Sequence, residues 1–381
     1  MTLSFVIPVY NRAHVIGRCL DSVFRAVPSD KIAEIVVVDD GSSDDIAAVV
    51  SRWRTAHPMN LVFVQSKRNG GVSRARNLAF PFLTGDYVWF VDSDDVVFPE
   101  GVVRMLPILD SQHPDTYRFS WCRIREEILD RPSSDCLILP EPERHDLQTA
   151  TSTELKRLFG RALLCNAVFR RAILDGIRFL PGLANAEDGL FARTVLTRTG
   201  VLLSDANNIA YGYTVTTGSA SAMPTDRMFR SYVRYSCEES KMLTEAAIRN
   251  RRWVPVLRST VWSIYPRLLS SFGLEAFRDN RLAFVRVAYY RIFVANRFRR
   301  SPARFASLLV WAVGTKWAIL GAYRIHIILA MLSTRSGLTR ICSRVFRRRH
   351  CRSGSLSSAE QDVCSARKKS ANCGTCSNAD R

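Results

Sequence analysis

At 381 residues, 47% of them hydrophobic and 23% charged, the chain has the composition of a globular protein with room for one large domain or two, which excludes a fibrous or wholly disordered one. Its formal charge of +19 is one-sided: residues 1–220 hold 24 Lys and Arg against 26 Asp and Glu, whereas the remaining 161 hold 30 against 9. A near-neutral first part is thus followed by a region of net +21 suited to a polyanion, whether lipid headgroup, nucleic acid or another.

The run Leu3 to Val9 reads as a buried strand that leads through Tyr10, Asn11 and Arg12 into a helical pattern from about His14 to Ala26. No charged and apolar leader precedes Leu3, so the first domain is expected in the cytosol. Glu34 to Asp39 repeats the theme, and the turn Asp39-Asp40-Gly41-Ser42-Ser43-Asp44 caps a helix running to about His57. Leu61 to Gln65 is a third strand. Apolar strands alternating with helices predict right-handed crossovers and a mostly parallel sheet, with ligands gathered beyond the carboxyl ends of the strands.

Two stretches on that edge carry chemistry. Lys67 to Asn77 sets a glycine turn and cations at the start of a helix ending near Leu83, where backbone N–H groups with Arg74 or Arg76 suit a diphosphate; a solvated turn accounts for the glycines as well. Tyr87 to Val96 is an apolar strand ending in Asp92, Asp94 and Asp95, hard oxygen ligands for Mg²⁺ or Mn²⁺ beside a diphosphate. An acidic turn before the helix at Pro99 is the plainer account of those carboxylates.

Taken together, Phe5-Val-Ile-Pro-Val-Tyr-Asn11, Ile35-Val-Val-Val-Asp-Asp-Gly-Ser-Ser-Asp44, Asn69-Gly-Gly-Val-Ser-Arg-Ala-Arg-Asn77 and Gly85-Asp-Tyr-Val-Trp-Phe-Val-Asp-Ser-Asp-Asp95 resemble, in order, the signature of the family-2 glycosyltransferases, inverting enzymes of the GT-A fold. The likeness is dense over about residues 3–110 and thinner to about 221. It implies a nucleotide-sugar donor, commonly a UDP-sugar, held with Mn²⁺ or Mg²⁺. Carried over, Pro8, Tyr10 and Asp40 line the base pocket, Arg76 faces the diphosphate, and Asp92, Asp94 and Asp95 serve ribose and metal, the metal falling to Asp94 and Asp95.

A helix from Pro99 to about Leu106 and a strand from Thr116 to Arg123 follow, then an irregular surface excursion over 126–150. Cys165 to Arg171 leads into a short helix. Glu187-Asp188 opens a helix to about 199, with Asp188 free to face a cleft; displacement at an anomeric carbon needs a base for the acceptor hydroxyl, although two acids also simply favour a helix N-terminus. In the resembled family this pair recurs here with its Asp as the base. Tyr211 to Ser221 is similar to a family segment, read as a flexible lid, in which Tyr-x-Tyr is followed by Arg; Thr214 stands at that position.

From Asp226 helical spacing takes over. The window 305–323 holds one charge, Lys316, behind arginines 297, 299, 300 and 304; apolar gain and lysine cost nearly cancel at about 3 kcal/mol each, so an interfacial helix on anionic lipid fits better than a span. Burial in the domain's own core is the alternative. The tail from 347 reads as disordered, and Cys373-Gly-Thr-Cys376 lacks the partner CxxC of a zinc site. Of the ten cysteines, Cys19, Cys122, Cys136, Cys165 and Cys237 are scattered singly on core-like segments, as reduced thiols would be.

The expected organisation is a nucleotide-sugar-binding domain over 1–221, a basic helical, membrane-associated region over 222–346 and a tail over 347–381. The expected function is transfer of a sugar, with inversion, to a hydroxyl of a cell-surface glycan or lipid-linked acceptor, at the inner face of the membrane and without nucleic acid. A catalytically silent nucleotide-sugar fold acting as a membrane or nucleic-acid binding module is the alternative, and the carboxylates at 92, 94, 95 and 188 count against it.

Overall fold

The computed structural model describes residues 1–125, 141–183, 185–215, 226–261 and 263–264. The readings of 126–140, of 216–221 and of everything past 264, the apolar window and the cysteine-rich tail included, fall outside these residues.

The chain opens β1 (Leu3–Val9), α1 (Ile16–Ala26), β2 (Ile32–Asp39), α2 (Ile46–Ala56), β3 (Leu61–Gln65), α3 (Val72–Ala79) and β4 (Tyr87–Phe90). It continues with β5 (Val96–Val97), α4 (Pro99–Gln112), β6 (Thr116–Arg125), β7 (Glu143–Asp146), α5 (Ser152–Gly160), β8 (Ala167–Arg170), α6 (Glu187–Leu196), β9 (Val201–Val215) and α7 (Asp226–Arg249). The strands form one sheet in the order β3-β2-β1-β4-β8-β6-β9-β5, with β7 beside β9. The first four are parallel, as are β6 and β9, while β8, β5 and β7 run antiparallel to their neighbours.

Strands covered on both faces need apolar residues at every position, which is why β1 and β2 read as unbroken runs. Phe5 and Ile7 pack under α1, α2 and α4 with Ile16, Leu20, Val23 and Leu109. Val6, Val36 and Val38 face the other way, against Ala75 and Ala79 of α3 and Phe191 and Val195 of α6. A third cluster joins Leu155 and Leu158 of α5, Ala192 and Leu196 of α6, and Leu243, Ala246 and Ala247 of α7.

Three readings change. α4 passes through Pro107 to Gln112 instead of stopping at Leu106, because Leu106 and Leu109 are buried and offset an interior proline's cost of about 3 kcal/mol. The excursion ends in a strand, β7, whose pairing with β9 places His145 inside while its neighbours face solvent. The strand expected to end at Arg123 runs to Arg125, paired throughout with β9. Cys19, Cys122, Cys165 and Cys237 are free thiols.

Candidate active site

The loops after β1 and β2 are stitched side chain to backbone. Asn11 Oδ1 accepts from Ser43 N at 2.8 Å, Ser42 Oγ accepts from Asn11 N at 2.9 Å, and Asp44 Oδ2 accepts from Ala13 N at 2.8 Å. Asn11 sits at φ 51°, in the left-handed region its short polar side chain tolerates. Gly41, at φ +76°, has no alternative: a Cβ there would stand 2.6 Å from the backbone carbon of Arg68. The cationic loop is thereby pressed against the β2 turn.

Asp40 makes that contact. It is buried, and its two oxygens accept from Gly70 N at 2.9 Å and Gly71 N at 2.7 Å. Asp39, also buried, accepts from Ser42 N and from Gln65 Nε2. Of the three residues assigned to a base pocket, Pro8 is buried in β1, Tyr10 is exposed just past it, and Asp40 spends its carboxylate on the glycine loop. Lys67, Arg68 and Arg74 remain exposed on this loop, which opens α3.

Arg76, expected to face a diphosphate, is committed in this structure to two carboxylates. Its buried guanidinium gives Nη2 to Asp92 Oδ1 at 2.7 Å and Nη1 to Glu187 Oε1 at 3.0 Å, and it lies over the Phe179 ring at 5.3 Å. Burial works to lower its pKa, but Asp92 and Glu187 more than offset that, so the group stays charged. Burial also pushes Glu187 up from the ordinary carboxylate range, against the pull of Arg76. One side chain of α3 thus ties the end of β4 to the start of α6, whose Glu187 lies 111 residues from Arg76.

The three aspartates part company. Asp92 has its side chain 42% exposed, with one oxygen on Arg76. Asp94 is partly exposed, 3.7 Å from the Arg12 Nε, and burial raises its pKa. Asp95 is 1% exposed and turned into the fold: Tyr211 donates its hydroxyl to Oδ2 at 2.6 Å, and Thr214 N donates to Oδ1 at 2.8 Å. Burial, with Asp92 nearby, pushes it up to about 8. Tyr211 also accepts from Asp92 N at 3.2 Å, and Arg18 Nη2 donates to the Asp94 carbonyl at 2.7 Å and to Thr214 Oγ1 at 3.2 Å.

Among the described residues no group of three or more His, Cys, Asp or Glu is arranged to hold a metal ion. The donor set fits a divalent cation in a narrower way than three aspartates would. Asp92 and Asp94 supply hard oxygens that reach solvent, and Mg²⁺ or Mn²⁺ bound beside a diphosphate commonly takes one or two carboxylates and completes its shell with phosphate oxygens and water. Asp95, expected as a ligand, is committed to Tyr211 and Thr214 instead.

Asp188 stands in the first turn of α6, partly exposed beside Glu187. The residue before that turn, Ala186, is held at φ 62°, a left-handed conformation that an alanine adopts only under constraint. Arg12, Arg18 and Tyr211 are parts of the site that residue-by-residue reading missed. The two arginines carry no signal beyond following β1, and Tyr211 belonged to a segment read only as a lid.

Residues 4–178 match the family described as Glycosyl transferase family 2. A poly(ribitol-phosphate) beta-glucosyltransferase of Bacillus spizizenii is 35% identical over 104 residues, 27% of this chain and 16% of that one. The minor teichoic acid biosynthesis protein GgaB of Bacillus subtilis is 24% identical over 288 residues, 71% of this chain and 30% of that one. The chain therefore spans less than a third of the length of these curated relatives. A crystal structure of S. aureus TarS 1–349 in complex with UDP shares the fold, with a TM-score of 0.59 at 21% identity over 81% of this chain and 83% of that one. The mixed sheet with helices on both faces is thus of the GT-A type that the four sequence motifs implied.

Proposed function

We propose, on the premise that the chain is a member of glycosyl transferase family 2 through residues 4–178, that it transfers a sugar from a nucleotide-sugar donor, UDP-linked, to a hydroxyl of a cell-surface polymer with inversion at the anomeric carbon. The observation that carries this reading is the Arg76 bridge, since it fixes the carboxylates after β4 and the acidic start of α6 on one edge of the sheet. A donor site and a base are what a single displacement needs within reach of each other.

In this reading the nucleotide lies over the loops at Pro8, Tyr10 and Asp40, and Asp40 acts through the Gly70-Gly71 loop it holds. Arg74, exposed at the N-terminal turn of α3, meets the diphosphate together with the uncapped N–H groups there. Asp92 and Asp94 would hold Mn²⁺ or Mg²⁺, which when bound would supply positive charge beside a departing diphosphate. Asp188 accepts the proton of the acceptor hydroxyl as its oxygen bonds to the anomeric carbon. A polymer of the teichoic-acid kind is the acceptor class favoured by the names of the relatives, whose own chains are far longer.

The basic region beyond 222 would hold the protein at an anionic inner membrane face. Among the described residues no helix is long and apolar enough to cross a membrane. Release of UDP from a panel of UDP-sugars, with Mn²⁺ and with EDTA, tests the reading: metal-dependent turnover of one sugar is expected, and no turnover of any nucleotide-sugar would overturn it.

A further inference from the structure

Strands β6 and β9 outrun β4 and β8. Trp89 of β4 is level with Val168 of β8, and Val168 is level with Tyr117 of β6. β4 ends one residue later at Phe90, while β6 and β9 continue side by side to Arg125 and Val215. At about 3.3 Å per residue, Trp121 stands roughly 13 Å beyond the level of Trp89, where the chain after β4 makes its turn through Asp92 and Asp94.

The face these strands present there can be followed residue by residue. Trp121 is in register with Tyr211, and Arg123 with Tyr213, so all four side chains share one face of the parallel pair. Two residues earlier the same face is core, where Phe119 meets Trp89 at 4.9 Å. Tyr211 still points inward, onto Asp92 N and Asp95. Then cover gives out: Trp121 and Tyr213 are each 37% exposed, with ring centroids 6.0 Å apart and planes at 69°. Arg123 is exposed; among the described residues it has no ion pair or hydrogen bond, and neither the Trp121 indole N–H nor the Tyr213 hydroxyl has a partner.

Large aromatic rings are normally buried or have their polar tips paired, so two adjacent rings beside an unpaired guanidinium at the rim of a transferase site call for an occupant. We infer that Trp121, Tyr213 and Arg123 form an acceptor subsite for an anionic, hydroxylated polymer, the C–H faces of a sugar or polyol lying on the rings and a phosphate or carboxylate of the same chain meeting Arg123. The inference rests on the transferase reading for the word acceptor, while the surface itself does not. Rings supply area at low entropic cost, and a guanidinium supplies paired donors to an anionic oxygen. The site would read the polymer beside its reacting hydroxyl, leaving the donor side untouched.

Calorimetric binding of poly(ribitol phosphate) to the full chain in saturating UDP tests it, with UDP affinity measured separately. Trp121→Ala and Tyr213→Ala are each expected to weaken polymer binding about tenfold, Trp121→Phe to recover most of it, and Arg123→Gln to weaken it while flattening its salt dependence, with UDP affinity kept within about twofold. Unchanged polymer affinity in both alanine variants, no binding of poly(ribitol phosphate) to the wild type, or tighter binding of single-stranded poly(U) would each overturn it. Turnover of UDP-sugars by the wild type reports on the transferase reading alone, so its failure is visible separately.

Discussion

Replacing Arg76 by methionine should reveal how much holds the two halves of the site together. The guanidinium is buried and makes two charged hydrogen bonds, to Asp92 and Glu187, so its removal leaves two carboxylates without a partner. They are not equivalent. Asp92, with its side chain 42% exposed, rehydrates, whereas Glu187, at 12%, stays buried. Breaking a buried pair by deleting one partner costs about 3–5 kcal/mol, and because only one carboxylate stays dry the low end, about 3 kcal/mol, is expected at pH 7.5. Glu187 already has a raised pKa, and losing the cation raises it further. A carboxylate raised in the folded state is best accommodated while protonated, so the deficit of the variant should shrink toward pH 5 and grow as pH rises. Adding Glu187→Gln should return at least half of the loss at pH 7.5. Urea denaturation of the single and double variants at both pH values measures this. A loss under about 1 kcal/mol at both pH values, or no recovery in the double variant, would refute the reasoning, since even one charge-assisted bond contributes more than that.

Three further outcomes follow from the same geometry. Asp40→Ala frees the N–H groups of Gly70 and Gly71 and should lower UDP affinity about tenfold, with a loss of about 1–2 kcal/mol in stability; unchanged UDP titration would show that the loop needs no tie. Ala186→Gly relieves a left-handed alanine and should raise stability by about 1 kcal/mol, and a lowered midpoint would mean that residue 186 is not strained. Asp95 is held neutral in the fold up to about pH 8, so the stability it contributes is full below its unfolded pKa near 3.8 and is lost as pH rises through about 8. Asp95→Asn should therefore show a flatter fall of Tm from pH 5 to 9 than the wild type, and parallel curves would contradict the assigned protonation.

What could be read in the sequence was what local pattern determines. Continuous apolar runs marked β1, β2 and β4 because strands covered on both faces tolerate little else, and Asp45, whose carboxylate caps α2 through Ala48 N, directly follows the turn expected to start that helix. β5, at two residues, and β7, whose one buried residue is a histidine, carry too little periodicity to stand out from a loop. β8 is only Ala167–Arg170, hidden before the short helical turn that was read there. The site was legible in its composition and not in its orientations. Three aspartates in four residues look alike, and it is Tyr211 and Thr214, far along the chain, that turn Asp95 inward and leave Asp92 and Asp94 at the surface. The tie of Arg76 to Glu187, 111 residues away, is likewise a pairing no local pattern encodes.

We propose that the edge joining Asp92, Asp94 and Asp188 performs sugar transfer with Asp188 as the base. The most direct test is turnover of the active UDP-sugar by Asp188→Asn beside UDP binding by the same variant. UDP affinity like that of the wild type and turnover reduced at least about a hundredfold, the contribution of a positioned base, are expected. Near-normal turnover with normal UDP binding would contradict it and pass the role of base to another group.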